Sequence, residues 1–303
     1  PNPNNDNDGD DLAYSDEISC ILSNKFVYAG ALIACCITSR LPQPMKLSSM
    51  VWEYLTQEKV SIESIYEIDE NFKELIHSAE SLQSKIKADP NSVSDEEFNQ
   101  VFLHSFETDD SFNKPIELIP NGSKTRVTKE NLHEFIELAK KIRQEEFTNE
   151  LKALKFGFDK IMTKTNIIKI LRPKELKLLI CGEPNCKVEH MMKLIDIQHQ
   201  SGEKDRIQKM FWNVVESFSV EERMKLIRFS SGNMGLPPPG MKWEENITIN
   251  FLPKDEKGKA GDKLGFADTC FSKATFPYFD SEEDLAKMLR TTINNAGLIT
   301  DTQ

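Results

Sequence analysis

The longest uninterrupted apolar stretch of the chain, residues Phe26–Ile37, limits what the chain can fold into. It is 12 residues long, whereas a helix that crosses a bilayer needs about 20 apolar residues. Its apolar residues surround the helix axis instead of forming one stripe, a pattern typical of a helix buried in a core. The sequence therefore predicts a buried helix here and no membrane span.

The composition is that of a globular protein with an acidic surface. Of the 303 residues, 39% are apolar and 29% are charged, so the chain can bury a core. Asp and Glu number 49 against 38 Lys and Arg, which gives a formal net charge of −11. An acidic surface repels phosphate backbones, so the sequence predicts no nucleic-acid binding and leaves protein partners open.

Six cysteines are scattered along the chain. They are too few and too dispersed for a disulfide framework in a chain of this length. The sequence therefore predicts reduced thiols and a cytoplasmic location, with the nucleus as an alternative.

Apolar spacing and capping residues predict a mainly helical chain. Residues 1–19, rich in Asp and Asn without Lys or Arg, are predicted to be a disordered lead. Thr128 is expected to cap one helix, and Ser219 with Glu222 forms a capping box at the start of another. Helices are predicted over residues 45–57, 71–88, 132–142, 147–162, 173–180, 207–218, 220–229 and 281–293. Strands are predicted over residues 101–106, 116–120 and 247–251.

A polar segment divides this pattern. Residues 196–204 contain a Ser-Gly pair and show no clear period, which favours a linker, with an ordinary surface loop as the alternative. Residues 252–263 are charged and rich in glycine, and predict a mobile loop. The expected fold is α+β: a larger helical N-terminal part with a small β-containing insert, and a mixed α/β part of about 100 residues.

The search for reactive groups yields one weak metal candidate. The chain has no GxSxG, HExxH, Walker or GxGxxG motif. Cys181, Cys186 and His190 have C-x4-C-x3-H spacing, with His199 as a nearby fourth group. Zinc sites use tighter cysteine pairs. A buried structural cysteine among surface residues is the favoured interpretation, and no metal is expected.

Cys270 stands apart because it lies in a predicted loop, after a flexible segment and before a helix. Such a position suits an accessible thiol. A small buried hydrophobic side chain is the alternative, and the pattern of residues alone favours that alternative.

An ordered series of short motifs resembles the catalytic domain of HECT-type ubiquitin ligases. Each piece is weak alone, whereas their order and spacing together are specific. The pieces are FVYAGALIACC at 26–36, ELIPNG at 117–122, VTKEN at 127–131, GF at 157–158, ELKLLICG at 175–182, FW at 211–212, EER at 221–223, FSSG at 229–232 and TCF at 269–271, with Pro277 and Phe279 beyond them.

The resemblance implies a bilobal architecture and a domain layout. Residues 20–197 correspond to a mainly helical N-lobe, with a small β-containing subdomain at about 95–165. Residues 198–204 correspond to a flexible hinge, and residues 205–303 to a smaller mixed α/β C-lobe.

The resemblance also implies a ubiquitin-protein transferase without a cofactor. Cys270 would accept ubiquitin from a conjugating enzyme as a thioester and pass it to a lysine of a protein substrate. Thr269, Asp268 and Phe271 accompany it in the catalytic motif. Phe135 matches a groove residue that binds the conjugating enzyme, and Phe72 with Ile76 matches the wall of that groove. Phe135 also lies on an apolar helical stripe, so a core position is an equal alternative.

Three departures from the family pattern keep other functions open. The family commonly has His where this chain has Asp268, and Pro where it has Gly265. Near the C-terminus, Leu298 stands where the family has a Phe. A catalytically impaired scaffold that binds conjugating enzyme or ubiquitin is therefore the second hypothesis. A generic helical interaction domain is the third, and it leaves the motif series unexplained.

Overall fold

A computed structural model describes residues 8–162, 167–199, 204–241, 243, 245–252 and 264–296. These residues form an α+β fold with two compact units, and the sequence passes between the units at 34/35, 46/47 and 173/174. Unit 1 contains residues up to 34 and 47–173, and unit 2 contains 35–46 and those from 174 onward. Among the described helices, none is long and apolar enough to cross a membrane.

Unit 1 is built from helices and one short hairpin. Strands β1 and β2 pair antiparallel, with Thr108 opposite Ile116. Its elements are α1 (Asp8–Ser39) as far as Ala34, α2 (Ser49–Leu55), α3 (Ile62–Tyr66), α4 (Glu70–Ala88), α5 (Asp95–Val101), β1 (Glu107–Asp109), β2 (Pro115–Glu117), α6 (Leu132–Glu145) and α7 (Thr148–Met162).

Helix α1 differs from the sequence prediction both in its first part, residues 8–19, and in its apolar stretch, residues 26–37. Residues 8–19, predicted as a disordered lead, are helical. The apolar stretch is helical as predicted, but it is not buried all round, because Tyr28 is 67% exposed and Leu32 is 47% exposed.

Two glycines set the closest approach in unit 1. A Cβ atom on Gly30 of α1 would lie 1.8 Å from the carbonyl oxygen of Leu154, and one on Gly157 of α7 would lie 1.8 Å from that of Val27. Any side chain at either position would force the backbones of α1 and α7 apart. The glycines in the GALIACC and GF motifs are therefore packing residues.

One continuous core joins α2 to α7, and it contains the three residues predicted to form the partner groove. Phe72, Ile76 and Phe135 are at most 4% exposed. The rings of Phe102 and Phe106 meet Phe135 edge-on, with centroids 5.7 and 5.8 Å away. The structure thus places Phe135 in the core, which is the alternative that its apolar stripe on α6 had left open. Residues from 95–165, such as Phe98 and Leu151, contribute to this core, and the small subdomain at about 95–165 stays a prediction.

A buried arginine lies at the edge of this core. The Arg143 side chain is fully buried and pairs with Asp69 at 2.5 Å and with Glu146. Its guanidinium lies 5.2 Å from the ring centroid of Phe72. Asp69 also caps α4 by accepting the backbone N–H of Phe72 at 2.9 Å. The charge is therefore paired, as burial requires.

Unit 2 contains a four-stranded sheet with the order β3-β4-β6-β5. Strand β4 is parallel to both β3 and β6, and β5 is antiparallel to β6. The elements are α8 (Pro173–Cys181), α9 (Val188–Met191), β3 (Ile195–His199), α10 (Lys204–Glu216), α11 (Val220–Ser231), β4 (Ile247–Phe251), β5 (Phe266–Asp268), β6 (Lys273–Phe276) and α12 (Glu282–Asn295).

Among the described elements of unit 2, the helices pack on one face of this sheet. Along β3 and β4, every second residue is buried, from Ile195 and Ile247 onward. These apolar side chains share one core with residues of α10, α11 and α12, such as Phe211 and Leu289. Because side chains alternate along a strand, the residues between them lie on the opposite face.

The predicted hinge at 198–204 lies between β3 and α10 and includes the end of β3 and the start of α10. Residues 195–199 form β3, which pairs with β4, and α10 packs on β3. Both flanks of residues 200–203 thus belong to unit 2, and residues 200–203 themselves lie outside the described residues. The alternation Ile195-Asp196-Ile197-Gln198 is that of a half-buried strand, so the first residues of the predicted linker belong to β3. The hinge at 198–204 and the lobe limits at 197 and 205 stay predictions.

Most helix predictions are confirmed, and the strand predictions less so. The capping box of Ser219 and Glu222 is present, and Ser281 caps α12. Helix α8 ends before Gly182, which has a φ of +78°. The predicted strand at 101–106 is wrong, since α5 runs to Val101, and the residue that caps α6 is Asn131, not Thr128. The predicted loop at 253–263 and the end of the last helix at Gly297 lie outside the described residues.

Phe135→Ala tests the core position. Because the side chain is fully buried among aromatic rings, we expect the free energy of unfolding to fall by about 3–5 kcal/mol, measured by urea denaturation. Phe112→Ala is the control, since Phe112 is 81% exposed, and should change stability by less than about 0.5 kcal/mol. A near-neutral Phe135→Ala that lost binding to a conjugating enzyme would restore the groove assignment.

Candidate active site

Cys270 lies at the centre of a tight turn between β5 and β6. Residues Thr269–Phe271 form one turn of 3-10 helix, and Ser272 closes it with a φ of +47°. The backbone N–H of Ser272 donates to the carbonyl oxygen of Thr269 at 3.2 Å, and Thr248 of β4 donates to the carbonyl oxygen of Ser272 at 2.8 Å. The backbone on the C-terminal side of the cysteine is thus tied to the sheet.

Two glycines, Gly265 and Gly232, lie next to this turn and allow close packing or a positive φ there. A Cβ on Gly265 would lie 2.2 Å from the ring of Phe276, so only glycine lets the chain enter β5 so close to this ring. The Gly265 N–H donates to Thr292 Oγ1 of α12 at 3.2 Å. Gly232 ends α11 with a φ of +72°, and a Cβ there would lie 3.5 Å from Thr269 Cβ. The turn therefore rests on α11 and α12.

The side chains of the turn face solvent. Cys270 is exposed as a free thiol, and Phe271 beside it is 70% exposed. On β5, Asp268 and Phe266 lie on one face because they are two residues apart, and Phe266 is 64% exposed. An exposed thiol on a fixed backbone, next to a carboxylate and two exposed rings, is suited to receive an acyl group from another protein.

Burial distinguishes Cys270 from other cysteines of the described chain. Cys186 is fully buried, and its burial raises the pKa of the thiol to about 12. Burial also raises the pKa of Cys36 and of Cys181. Since the thiolate is the nucleophile, these three are poor candidates. Cys35 is also exposed, but it lies within helix α1. Cys270 is therefore the exposed thiol that lies on a turn.

The weak zinc candidate is not assembled. Cys186 packs its sulfur 3.6 Å from the sulfur of Met191. The Cys181 sulfur points to the carbonyl oxygen of Met45 at 3.9 Å, and His199 Nδ1 lies 3.1 Å from the carbonyl oxygen of Phe251. Within the described residues, no three His, Cys, Asp or Glu side chains are arranged to hold a metal ion.

A groove of about 810 Å³ lies on the uncovered face of the sheet, next to the turn. We call it the open-face groove; it contains Asp268 together with Phe266, and Lys273, the cross-strand partner of Asp268, lies in it as well. It is lined by Gln198, His199, Lys204, Asn250, Phe251, Leu252, Phe266, Asp268, Lys273 and Thr275. The sequence patterns did not predict this groove, because they did not predict the strands β3, β5 and β6 that form most of it.

The structure places the two predicted groups of site residues in different settings, one exposed and one buried. Asp268, Thr269, Cys270 and Phe271 are consecutive on β5 and its turn. Phe72, Ile76 and Phe135 lie in the core of unit 1. Leu298 lies outside the described residues.

Comparison with known proteins identifies the family. A family model described as HECT-domain (ubiquitin-transferase) matches residues 1–298. E3 ubiquitin-protein ligase TOM1-like of Neurospora crassa is 28% identical over 271 residues, 88% of this chain and 6% of that protein. E3 ubiquitin-protein ligase pub1 of Schizosaccharomyces pombe is 26% identical over 264 residues, 86% of this chain and 33% of that protein. This chain belongs to the HECT-domain family.

The likeness to these relatives covers most of this chain but a small part of theirs. Probable E3 ubiquitin-protein ligase HECTD2 of Homo sapiens is 30% identical over 200 residues, 65% of this chain and 24% of that protein. The chain thus spans no more than about a third of the length of the three relatives.

Thiol labelling tests the ranking of the cysteines. With iodoacetamide at pH 8 and mass spectrometry of the digested protein, we expect rapid labelling of Cys270. Cys186 should react at least about 100-fold more slowly, because a thiol pKa raised from 9.0 to about 12 leaves very little thiolate at this pH. Denatured protein, in which all six cysteines should react alike, is the control. Equal rates of Cys186 and Cys270 in the folded protein would contradict the ranking.

Proposed function

We propose that this chain is the catalytic domain of a ubiquitin-protein ligase that carries ubiquitin on Cys270 as a thioester. The proposal rests above all on one observation: the cysteine of the Thr-Cys-Phe motif is an exposed thiol on a backbone turn fixed by the sheet. Membership of the HECT-domain family supports the reaction class. The partners are ubiquitin, a ubiquitin-conjugating enzyme and a protein substrate.

The first step moves an acyl group between two sulfur atoms. The Cys270 thiolate attacks the carboxyl carbon of ubiquitin, which is bound as a thioester to the conjugating enzyme. A carbon–sulfur bond to Cys270 forms, the bond to the conjugating enzyme breaks, and its electron pair leaves on the enzyme's sulfur. Since the bonds exchanged are alike, the step is close to thermoneutral and requires a thiolate and close approach. Exposure of Cys270 on a protruding turn provides that approach.

The second step forms an amide and releases the thiol. A neutral lysine amine attacks the thioester carbon, a carbon–nitrogen bond forms, and the electron pair of the carbon–sulfur bond returns to Cys270. The lysine ammonium must lose one proton before attack, and the amine loses a second proton to solvent or to the departing sulfur. A carboxylate close to the thioester can hold the ammonium and accept its proton. We assign this role to Asp268, two residues before Cys270.

Cys270→Ala tests the acceptor. With ubiquitin, activating enzyme and conjugating enzyme, the parent chain should give a ubiquitin adduct on a non-reducing gel that dithiothreitol removes. Cys270→Ala should give none, because the acyl acceptor is missing, whereas the control Cys35→Ala, which removes the other exposed thiol, should give the parent's adduct. An adduct that persists in Cys270→Ala would overturn the assignment. No adduct in the parent would favour a scaffold that binds without transfer.

Asp268→Asn tests the role of the carboxylate in the second step. In a single turnover from isolated thioester, transfer to lysine should slow by about 10-fold to 100-fold, because the amide cannot accept the proton. The loss should shrink as pH rises, since more of the lysine amine is then already neutral. Asp268→Glu, which keeps the carboxylate, should recover most of the rate. An equal loss at all pH values, or no recovery by Asp268→Glu, would indicate a structural role.

A further inference from the structure

The open-face groove has a charge unlike that of the whole chain. Among the described residues that line it, the charged side chains are two lysines, Lys204 and Lys273, and one aspartate, Asp268. The complete chain carries a net charge of −11. A groove with more cations than anions is thus a local exception on an acidic protein. Anionic partners are generally repelled by such a protein, and this groove is a place that attracts them.

The strand register places these groups on one surface. Asp268 lies opposite Lys273, and Phe266 lies opposite Thr275. Asn250 of β4 pairs with Thr275 of β6, so it continues the same row across the sheet. Because directly opposite residues project to the same side, these side chains all belong to the uncovered face. The groove therefore begins at the strand that leads into Cys270 and extends away from it.

The groove lies beside Cys270, where the polypeptide that accepts ubiquitin would bind. A polypeptide that lies in the open-face groove brings its lysine to the end of β5, where Asp268 lies two residues from Cys270 in sequence. The 64% exposed ring of Phe266 offers an apolar contact there. Lys204 and Lys273 offer two positive charges to residues on either side of that lysine.

We propose that the open-face groove binds the acceptor polypeptide and favours lysines flanked by acidic residues. The proposal rests on the ligase function proposed above and specifies its substrate class. The lysine ammonium lies at Asp268, and carboxylates of neighbouring acceptor residues lie at Lys204 and Lys273. The bonds made and broken are those of the aminolysis already described, so the groove adds binding and no further chemical step.

The test compares two acceptor peptides in single turnovers from isolated thioester. Both carry one lysine, flanked by Asp and Glu in one peptide and by Asn and Gln in the other. Two exposed ion pairs of ordinary strength predict about fivefold faster transfer to the acidic peptide. Since such pairs are screened by salt, the preference should fall towards one at about 1 M salt. This salt measurement needs no variant.

Charge reversal locates the preference. The variant Lys204→Glu with Lys273→Glu should lose the preference or invert it. Lys204 is exposed in the first turn of α10, where negative charge is favourable, so its replacement should not hinder folding. Lys287→Glu makes the same change of charge at an exposed position of α12, the helix that packs against the other side of the sheet. It should keep the preference of the parent.

Each outcome bears on one proposal or the other. Equal rates with both peptides, or a preference that survives the double reversal, would overturn the acceptor groove while leaving the ligase function intact. If the double reversal instead slowed formation of the thioester and left the preference unchanged, the groove would serve ubiquitin rather than the acceptor. Failure to form any thioester would overturn the ligase function, and the acceptor groove would fall with it.

Discussion

The structure of unit 2 depends on a sheet that is buried on one face only. Residues such as Ile249 and Phe251 alternate with polar residues such as Asn250, so helices cover the apolar side and the other side is polar. Burial of the apolar side against α10, α11 and α12 fixes the strand register, because a shift of one residue would exchange the two faces. The same constraint that stabilises unit 2 therefore leaves a polar surface open beside Cys270.

That register also positions the reactive turn. Strand β5 is only three residues long, and it ends where Asp268 meets Lys273. Because β5 is an edge strand that pairs only with β6, its position also depends on contacts with α11 and α12. Gly265 lets the chain pass close to the ring of Phe276, and its N–H donates to Thr292 of α12. Gly232, far away in sequence, ends α11 beside Thr269 with a positive φ.

The sequence predicted the parts of the fold that depend on local patterns. Helix α10 follows from its apolar period and α11 from its capping box, and β4 from its alternation. Strands β5 and β6 could not be predicted, because Phe266 is exposed, Thr275 is buried, and neither strand shows simple alternation. The partner groove failed for another reason: Phe135 lies on an apolar stripe, and a stripe does not reveal whether the helix faces a core or a partner.

For Cys270, the motif and the physical setting are independent and agree. A motif alone does not distinguish a reactive thiol from a small buried side chain, the alternative that local pattern favoured. Cys186 shows what that alternative looks like, since burial raises the pKa of its thiol to about 12 and its sulfur contacts Met191. Cys270 has the opposite setting, exposed on a turn with its backbone held by hydrogen bonds. Under the proposed function, Asp268 in place of a histidine is compatible with both steps, because exchange between thiols needs no strong base, whereas release to an amine benefits from a carboxylate.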